Sequence, residues 1–291
     1  MQFTGSIPAI VTPFKDGQVD LDALSTLVDW QIAEGSSAIV ACGTTGESPT
    51  LTPEERASVV RTVVQRSHGR VPVLAGTGTN DTRTTIAATR AAREWGADAA
   101  LVVTPYYNKP TQEGLFLHYE AVSKATDLPV MLYNVPGRTG VSFTPETVAR
   151  IAKLPRVVAI KEAGGSLDFV SQLRTLSDIA IVSGEDSLTF PMICMGAVGV
   201  VSVLANVMPR ETAALCAKAI AGDLAGARAI HQRVFPVIKA LFIESSPIPA
   251  KTALKLMGRG NGEVRLPLCG MLPENEAKLR AALVQAGAIG R

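Results

Sequence analysis

The sequence predicts an α/β protein, a (β/α)8 or TIM barrel with a C-terminal helical extension. Eight short apolar runs recur along the chain, and segments of helical character separate them. Near-continuous apolar runs are typical of strands buried on both faces of a parallel sheet, and eight strand–helix units within about 220 residues fit a barrel. A doubly wound sheet is the alternative, but its glycine-rich turn after the first strand is missing from Val11-Thr12-Pro13-Phe14.

The eight predicted strands are rich in valine, isoleucine and alanine. They are Ile7–Val11, Ala38–Cys42, Val71–Ala75, Ala99–Val103, Val130–Asn134, Val157–Lys161, Ile179–Ser183 and Val198–Val203. Candidate helices follow the first seven strands: Leu21–Glu34, Pro53–Ser67, Thr82–Trp95, Gln112–Thr126, Pro145–Lys153, Leu167–Leu176 and Ser187–Met195. Start signals support this scheme, because Thr52 can cap a helix with Pro53 at its first position and Glu55 three residues after the cap.

The chain changes character after the eighth predicted strand. Four further candidate helices have no strand between them: Glu211–Ala221, Leu224–Glu244, Ile248–Met257 and Glu274–Ala286. We expect the first of these helices to close the barrel and the others to form an extension. This division gives a catalytic barrel over residues 1–222 and a helical extension over residues 223–291. No low-complexity linker separates the two parts, so we expect the extension to pack on the barrel.

The composition describes a globular protein with an ample core. Of the 291 residues, 47% are hydrophobic and 19% are charged, and the formal net charge is only +2. No stretch concentrates lysine and arginine, which argues against nucleic acid or an anionic membrane as a partner. The uncharged stretch Ser187–Pro209 is interrupted by Pro191 and Gly196, so a buried helix and a buried strand explain it better than a membrane span.

The cysteines and histidines indicate no metal site. Four cysteines and three histidines are widely spaced, without a C-x-x-C pair or a ligand cluster. Three of the cysteines lie among apolar residues and are expected to be buried. Reduced thiols, and a start at Met1–Phe14 that lacks the features of a signal peptide, favour a cytoplasmic protein.

The sixth predicted strand, Val157–Lys161, ends in the residue on which the functional hypothesis depends. A lysine at the carboxyl end of a barrel strand lies at the mouth, where active sites of this fold are found. Partial desolvation there disfavours the charged ammonium, and the neutral amine can form a Schiff base with a carbonyl. An ordinary solvated lysine is the commoner explanation for such a residue taken alone, so its neighbours at the mouth must decide.

Other chemically capable residues follow the neighbouring strands. The turn Gly43–Gly46 can present backbone N–H groups to a small anion, although a simple helix-capping turn is the alternative. The phenol of Tyr133 could pass protons near the lysine, whereas we expect Tyr106 to be an interface aromatic. The planar guanidinium of Arg138 suits a carboxylate, and a structural ion pair within its loop is the alternative.

Together these residues resemble the dihydrodipicolinate synthase family, whose members are class I aldolases that condense with pyruvate. The resemblance covers essentially the whole chain, because the spacings between the motifs also agree. The matching motifs are GTTGES at 43–48, TPYYNKPTQEG at 104–114, YNVPGRTG at 133–140, IKEA at 160–163 and SGED at 183–186.

The resemblance implies a role for each residue near the predicted lysine. Lys161 would form an imine with pyruvate, and Thr44 and Thr45 would receive the pyruvate carboxylate. Tyr133, linked through the Thr44 hydroxyl to Tyr107, would relay protons during imine formation and ring closure. In this family the residue matching Tyr107 reaches into the neighbouring subunit's site, which implies a homo-oligomer and suggests a dimer of dimers.

The second substrate implied by the resemblance is aspartate semialdehyde, whose carboxylate Arg138 would hold. Val203 would place its backbone carbonyl near the lysine. The implied reaction passes through a protonated imine and an enamine that attacks the aldehyde, and amine attack then closes the ring. It needs no metal and no organic cofactor, and it belongs to lysine and diaminopimelate biosynthesis.

The resemblance is incomplete at a feedback site for lysine that some family members carry at the dimer interface. Three positions match that site: Ser48, Asn80 and Tyr106. Pro53 and Arg56 stand where histidines occur in feedback-inhibited members, and Thr84 replaces a glutamate that holds the amine of the effector. Losing that carboxylate removes a contact worth about 1.5–3 kcal/mol. We therefore expect weak or absent inhibition by lysine.

Two other functions stay open at the level of sequence. A sister aldolase acting on sialic acid or on a 2-keto-3-deoxy sugar acid would share the lysine and the tyrosine. Such enzymes lack an arginine in the loop of Arg138, so this loop favours the synthase. A non-catalytic barrel that acts as a binding protein is the alternative from a different class, and trapping of pyruvate on Lys161 with borohydride would exclude it.

Overall fold

Eight parallel strands form the barrel that the sequence predicts. In the computed structural model, which describes residues 3–290, each strand from the second to the seventh pairs with the next one along the chain, and the first pairs with the eighth. The ring closes through a parallel bridge between Ala9 and Val40, where Ile10 N–H donates to the Val40 carbonyl (3.0 Å). The strands are Gly5–Pro8, Ile39–Ala41, Val73–Gly76, Ala99–Val103, Val130–Asn134, Val157–Glu162, Ala180–Ser183 and Gly199–Ser202.

Helices separate the barrel strands and bury their apolar faces against the sheet. They are Leu21–Ala33, Pro53–Ser67, Thr82–Glu94, Gln112–Ala125, Pro145–Ile151, Leu167–Leu176, Thr189–Cys194 and Pro209–Ile220. The expected capping box of the second helix is present: Glu55 N–H donates to the Thr52 hydroxyl (3.2 Å) and Thr52 N–H donates to the Glu55 carboxylate (2.9 Å). These bonds satisfy backbone donors that a helix start otherwise leaves unpaired.

The alternation of side chains along the strands decides which residues reach the barrel interior. In the fifth strand Met131 and Tyr133 belong to the apolar cluster inside the barrel, whereas Leu132 packs in the outer layer under the helices. Because strand side chains alternate with a period of two, Lys161 of the sixth strand points into the barrel and Glu162 points outward, towards the helices. The two residues are neighbours in sequence but lie in different environments.

The C-terminal extension consists of helices Leu224–Ala240, Ile248–Leu256 and Pro273–Gln285. It packs on the barrel as expected, and it reaches the loop that follows the second barrel strand, where Lys251 forms a buried ion pair with Glu47. The first helix of the extension also packs against the last barrel helix. The division after residue 222 therefore stays a prediction.

The uncharged stretch near the eighth strand folds as expected. It forms the helix Thr189–Cys194 and the strand Gly199–Ser202. No helix within residues 3–290 combines the length and the apolar character needed to cross a membrane. The expectation of three buried cysteines was wrong, because Cys194 and Cys269 are exposed while only the other two are buried. Cys194 is the last residue of its helix, where apolar neighbours in the sequence do not guarantee that a side chain is buried.

Several short elements escaped the sequence analysis. The first strand spans Gly5–Pro8, so it ends before the predicted Val11. A short hairpin follows it, formed by two strands of two residues each (Phe14–Lys15 and Gln18–Val19). A single helical turn at Pro136–Thr139 follows the fifth strand. Elements of two to four residues are too short to show a period, and tertiary contacts decide them.

Candidate active site

Lys161 lies at the mouth of the barrel, at the position that the sequence predicts. Its side chain is buried, and its backbone pairs in register with that of Tyr133 on the fifth strand. The Lys161 Nζ lies 4.1 Å from the centroid of the Tyr133 ring. Within residues 3–290 Lys161 takes part in no salt bridge, unlike the buried Lys251. The amine is therefore available for a covalent bond to a carbonyl carbon.

The space around the lysine side chain depends on Gly184. A Cβ at this position would lie 2.9 Å from Lys161 Cε and 2.7 Å from Ala163 Cβ. The Gly184 N–H donates to the Glu162 carbonyl (2.7 Å), so the backbone cannot easily move away. Sequence analysis included Gly184 only as part of a motif and did not predict this close packing.

Two acidic residues follow Gly184 and lie near the lysine. Asp186 is buried and accepts hydrogen bonds from the Ser202 hydroxyl (2.5 Å) and from Val203 N–H (3.0 Å). Burial raises the pKa of Asp186, and its hydrogen bonds and Lys161 counteract part of this rise. Burial, followed by the charge of Asp186, also raises the pKa of Glu185, and Lys161 opposes the effect. The site therefore combines the Lys161 side chain with two carboxyl groups whose pKa values are raised by burial.

Val203 lies in the turn that follows the eighth strand. Its carbonyl accepts hydrogen bonds from the backbone N–H of Asn206 (3.0 Å) and from the side-chain amide of Asn206 (3.2 Å). The same side chain bonds the first strand, donating to the Ala9 carbonyl (2.8 Å) and accepting from Val11 N–H (3.0 Å). The role of Val203 stays a prediction. Sequence analysis missed Asn206, although a lone amide in an uncharged stretch was a usable signal.

The loop 43–48 lies beside the phenol of Tyr133. Gly43, Thr44 and Tyr133 line a common small cavity of about 40 Å³, and Thr45 is buried in the loop. Hydrogen bonds inside the loop, including Glu47 N–H to the Thr44 carbonyl (3.1 Å), keep the turn compact. The structure thus brings together the predicted anion-binding loop and the predicted proton relay residue. Which atoms would hold a carboxylate stays a prediction.

A second cavity of about 230 Å³ brings together the two predicted carboxylate-binding regions. Thr44 and Arg138 both line it, together with Thr139 and Tyr106. The Arg138 guanidinium also donates to the Ser246 carbonyl of the C-terminal extension (3.4 Å). A cavity of this size can take a small metabolite with a carboxylate near each end.

Tyr107 does not reach the site of its own chain. It is 88% exposed, and its backbone has a φ of 73°, in the left-handed region that few residues other than glycine adopt. Within the described residues its hydroxyl makes no hydrogen bond, and the same is true of the hydroxyls of Thr44 and Tyr133. The predicted relay through Thr44 is therefore not formed inside a single chain and stays a prediction.

A buried carboxyl group next to the lysine was also missed. The Glu162 carboxylate accepts hydrogen bonds from the Asn134 side-chain amide (2.9 Å) and from Gly164 N–H (2.5 Å). Burial raises the pKa of Glu162 to about 7, although both bonds oppose the rise. Because Asn134 and Glu162 directly follow Tyr133 and Lys161, the bond between them ties the two strand ends together just outside the site.

The comparison with known proteins agrees with this geometry. The family model described as the Dihydrodipicolinate synthetase family matches residues 2–286. The chain belongs to this family. A relative from Geobacter sulfurreducens named 4-hydroxy-tetrahydrodipicolinate synthase is 55% identical over 283 residues, which are 97% of this chain and 98% of the relative. A relative of the same name from Nitratidesulfovibrio vulgaris is 49% identical over 290 residues, 99% of both chains.

Solved structures extend the family relation to the whole fold. The dihydrodipicolinate synthase of Thermotoga maritima superposes with a TM-score of 0.97 at 45% identity, covering 99% of both chains. The enzyme of Aquifex aeolicus gives a TM-score of 0.96 at 47% identity, covering 98% of this chain and 99% of the other. The barrel and the helical extension are therefore the fold of the dihydrodipicolinate synthetase family, and the doubly wound alternative is excluded.

Proposed function

We propose that this chain condenses pyruvate with L-aspartate 4-semialdehyde to give 4-hydroxy-tetrahydrodipicolinate. The observation that carries the proposal is the buried amine of Lys161, which lies 4.1 Å from the Tyr133 ring centroid without a salt bridge in the described part of the chain. Relatives 55% and 49% identical over nearly their full length are named as this synthase. A sister aldolase is less well supported, because Arg138, which those enzymes lack in this loop, lines the cavity of about 230 Å³.

The first stage is capture of pyruvate by the lysine. The Lys161 amine attacks the C2 carbonyl carbon, and the carbinolamine loses water to give an imine. The Tyr133 phenol, beside the amine, donates and takes back protons in these steps. Thr44 and Thr45, with N–H groups of their loop, hold the carboxylate in the orientation that presents C2 to the amine.

The second stage forms the carbon–carbon bond and then closes the ring. The protonated imine withdraws electrons, so the methyl group loses a proton and an enamine forms. The enamine carbon attacks the aldehyde carbon of the second substrate, whose carboxylate pairs with the planar guanidinium of Arg138. The amino group of that substrate then attacks the imine carbon, the C–Nζ bond breaks, and the Lys161 amine is restored.

The proton relay requires a second copy of the chain. We propose a homo-oligomer in which Tyr107 of one subunit approaches Thr44 of its neighbour, because this tyrosine is exposed and strained in the single chain. Mixing the Tyr107→Phe and Lys161→Ala variants tests this. Each mixed dimer would hold one site with an intact lysine and an intact tyrosine, so activity should return on subunit exchange. Mixtures that stay as inactive as the separate variants would contradict the shared site.

A coupled assay and a trapping experiment test the function together. With pyruvate and aspartate semialdehyde, addition of the downstream reductase and its nicotinamide cofactor should give a loss of absorbance. Borohydride with pyruvate alone should add one reduced pyruvate to Lys161, measured by peptide mass spectrometry. Turnover only with sugar-acid aldehydes would support the sister aldolase. Absence of trapping in the folded wild-type protein would support the non-catalytic barrel.

We also propose that lysine inhibits the chain weakly or not at all. Arg56, at a position that departs from the effector-site pattern of the family, donates to the Ser48 carbonyl (2.7 Å) and lines the 230 Å³ cavity, where its charge would repel a cationic effector. The Thr84 hydroxyl donates to Asp81 (2.6 Å) and offers no negative charge. Half-maximal inhibition at low-millimolar lysine or below would refute this expectation. The relative from Cyanidioschyzon merolae, solved with lysine bound, is a suitable positive control for a measurement of lysine binding.

A further inference from the structure

A second buried lysine joins the C-terminal extension to the loop 43–48. The side chains of Lys251 and Glu47 form an ion pair and are only 4% and 1% exposed. The other carboxylate oxygen of Glu47 accepts the Arg265 N–H (3.0 Å), and the Lys251 ammonium also donates to the Glu263 carbonyl (2.8 Å). Glu47 is therefore held from two directions, both of them in the extension.

The conformation of Glu47 controls the loop that contains it. Its φ of 52° lies in the left-handed region, which costs free energy for a residue with a Cβ and persists only where the surroundings enforce it. Its N–H bonds the Thr44 carbonyl (3.1 Å), and its carbonyl accepts from the Thr50 backbone (3.0 Å). Any rotation of Glu47 would therefore pull on Thr44, three residues earlier.

The ion pair between Lys251 and Glu47 does more than hold the extension on the barrel. Two apolar side chains of similar volume would hold the extension on the barrel as well as a buried ion pair does, since desolvation offsets most of the Coulomb attraction. A charged pair with hydrogen bonds adds direction, because its geometry fixes the orientation of both side chains. The extension also contacts Arg138 through the Ser246 carbonyl (3.4 Å). It thus touches both regions proposed to bind carboxylates.

We propose that Lys251 is a positioning residue for pyruvate binding. Through its ion pair with Glu47, the extension holds Thr44 and Thr45 in the conformation that receives the pyruvate carboxylate. This inference rests on the proposed function, because it takes the loop as the carboxylate site. The competing role is a purely structural one, in which the pair only fastens the extension to the barrel.

The experiment compares two ways of loosening the extension. The double variant Glu47→Gln with Lys251→Met leaves neither side chain of this pair charged, and the single variant Glu47→Gln is a milder alternative if the double variant does not fold. The matched control is Glu55→Gln, which removes the ion pair between the Arg265 and Glu55 side chains (2.6 Å) but keeps both groups that bond the Glu47 carboxylate, the Lys251 ammonium and the Arg265 backbone N–H. A glutamine can still serve in the helix cap at this position.

The measurement is the concentration of carbonyl compound that gives half-maximal borohydride trapping on Lys161, in protein shown to be folded by circular dichroism. Pyruvate and acetone are compared, because acetone has the carbonyl but no carboxylate. We expect the pyruvate value to rise about tenfold in the loop variants, with the acetone value unchanged and both values unchanged in Glu55→Gln. KM for pyruvate should rise more than kcat falls.

Two results would overturn the inference. An unchanged pyruvate value in a folded loop variant would assign a structural role to the pair, and so would equal shifts for pyruvate and acetone. A failure of the proposed function is distinguishable, since the wild-type protein would then not be trapped by pyruvate at all.

Discussion

The chain buries two lysines, Lys161 at the barrel mouth and Lys251 in the extension, and their surroundings differ mainly in one partner. Counted over whole residues, their exposed fractions are 6% and 3%. Each ammonium lies over an aromatic ring, 4.1 Å from the Tyr133 centroid and 4.0 Å from the Phe14 centroid. Lys251 pairs with a buried carboxylate, whereas Lys161 has no ion pair within residues 3–290. Burial alone therefore does not distinguish a reactive lysine from a structural one.

The difference teaches how to recognise the reactive amine. Burial lowers the pKa of Lys251 to about 8, and Glu47 opposes this shift only in part. A lowered pKa would by itself point to Lys251. The cavity beside Lys251 measures only about 10 Å³, which has room for no more than a water. Lys161 instead lies over the ring of Tyr133, which lines the cavity of about 40 Å³, and it has no ion pair within residues 3–290, so these two features favour Lys161 in the proposed mechanism.

The largest expected effect concerns the amine itself. Lys161→Ala should lower kcat about 10⁴-fold or more, or about 5.5 kcal/mol, because no other group can form the imine. The thermal midpoint should stay within a few degrees, since the side chain lacks an ion pair to lose. Steady-state kinetics and thermal unfolding measure the two effects. Full turnover in this variant would remove Lys161 from the mechanism.

The second expected effect is a loss of stability, whereas the first is a loss of kcat. Lys251→Met leaves the Glu47 carboxylate buried without its counter-ion, which should lower the free energy of unfolding by about 3–5 kcal/mol. Chemical denaturation measures this change. Adding Glu47→Gln to the same chain should recover part of the loss, because the stranded charge is then gone. A loss below about 1 kcal/mol would mean that the pair is solvated and that the contrast between the lysines is false.

The sequence predicted the position of Lys161 better than that of Lys251 for a physical reason. Apolar runs identified the fifth and sixth strands, and the carboxyl ends of barrel strands meet at one mouth, so Tyr133 and Lys161 were expected near each other. The register that pairs them directly is a result of the structure. Nothing local connects Lys251 to Glu47, which are 204 residues apart in the chain. That pair depends on how the extension packs, and no periodic pattern encodes such a contact.

Packing roles were hidden from the sequence in the same way. Gly184 could be recognised as a turn residue, but its close approach to Lys161 follows only from the three-dimensional arrangement. Glu162 was visible as the residue after the lysine, and alternation predicts that it faces outward. Its bond to Asn134 requires the register of two strands, which the sequence did not specify.

Glu162 provides a third test, because it is the carboxyl group nearest to Lys161 in sequence. Burial raises its pKa from 4.5 to about 7, so between these values the folded state binds more protons and its stability falls as the pH rises. The variant Glu162→Gln does not titrate. Its free energy of unfolding relative to wild type should therefore increase by roughly 3 kcal/mol from about pH 4.5 to about pH 8. Denaturation across this range measures the difference.

The opposite trend for Glu162→Gln would be informative. A variant that loses stability relative to wild type as the pH rises would mean that ionised Glu162 is stabilised by a cation. Lys161, the preceding residue in the chain, would then be the cation to test, and pairing with it would remove the contrast between a paired and an unpaired lysine. The variant Glu113→Gln is a suitable control, because the pKa of the exposed Glu113 is lowered by its bond to Arg150. It should show no gain at high pH.

The smallest expected effect concerns the space around the reactive amine. Gly184→Ala places a methyl group 2.9 Å from Lys161 Cε, so the lysine must shift by a few tenths of an ångström or more. We expect kcat to fall about tenfold, or about 1.4 kcal/mol, because small displacements of a nucleophile weaken its alignment with the carbonyl. Gly137→Ala is the matched control, since a Cβ there meets nothing within 4 Å. If both variants keep wild-type kcat, the lysine tolerates displacement, and its missing ion pair rather than its exact placement distinguishes it from Lys251.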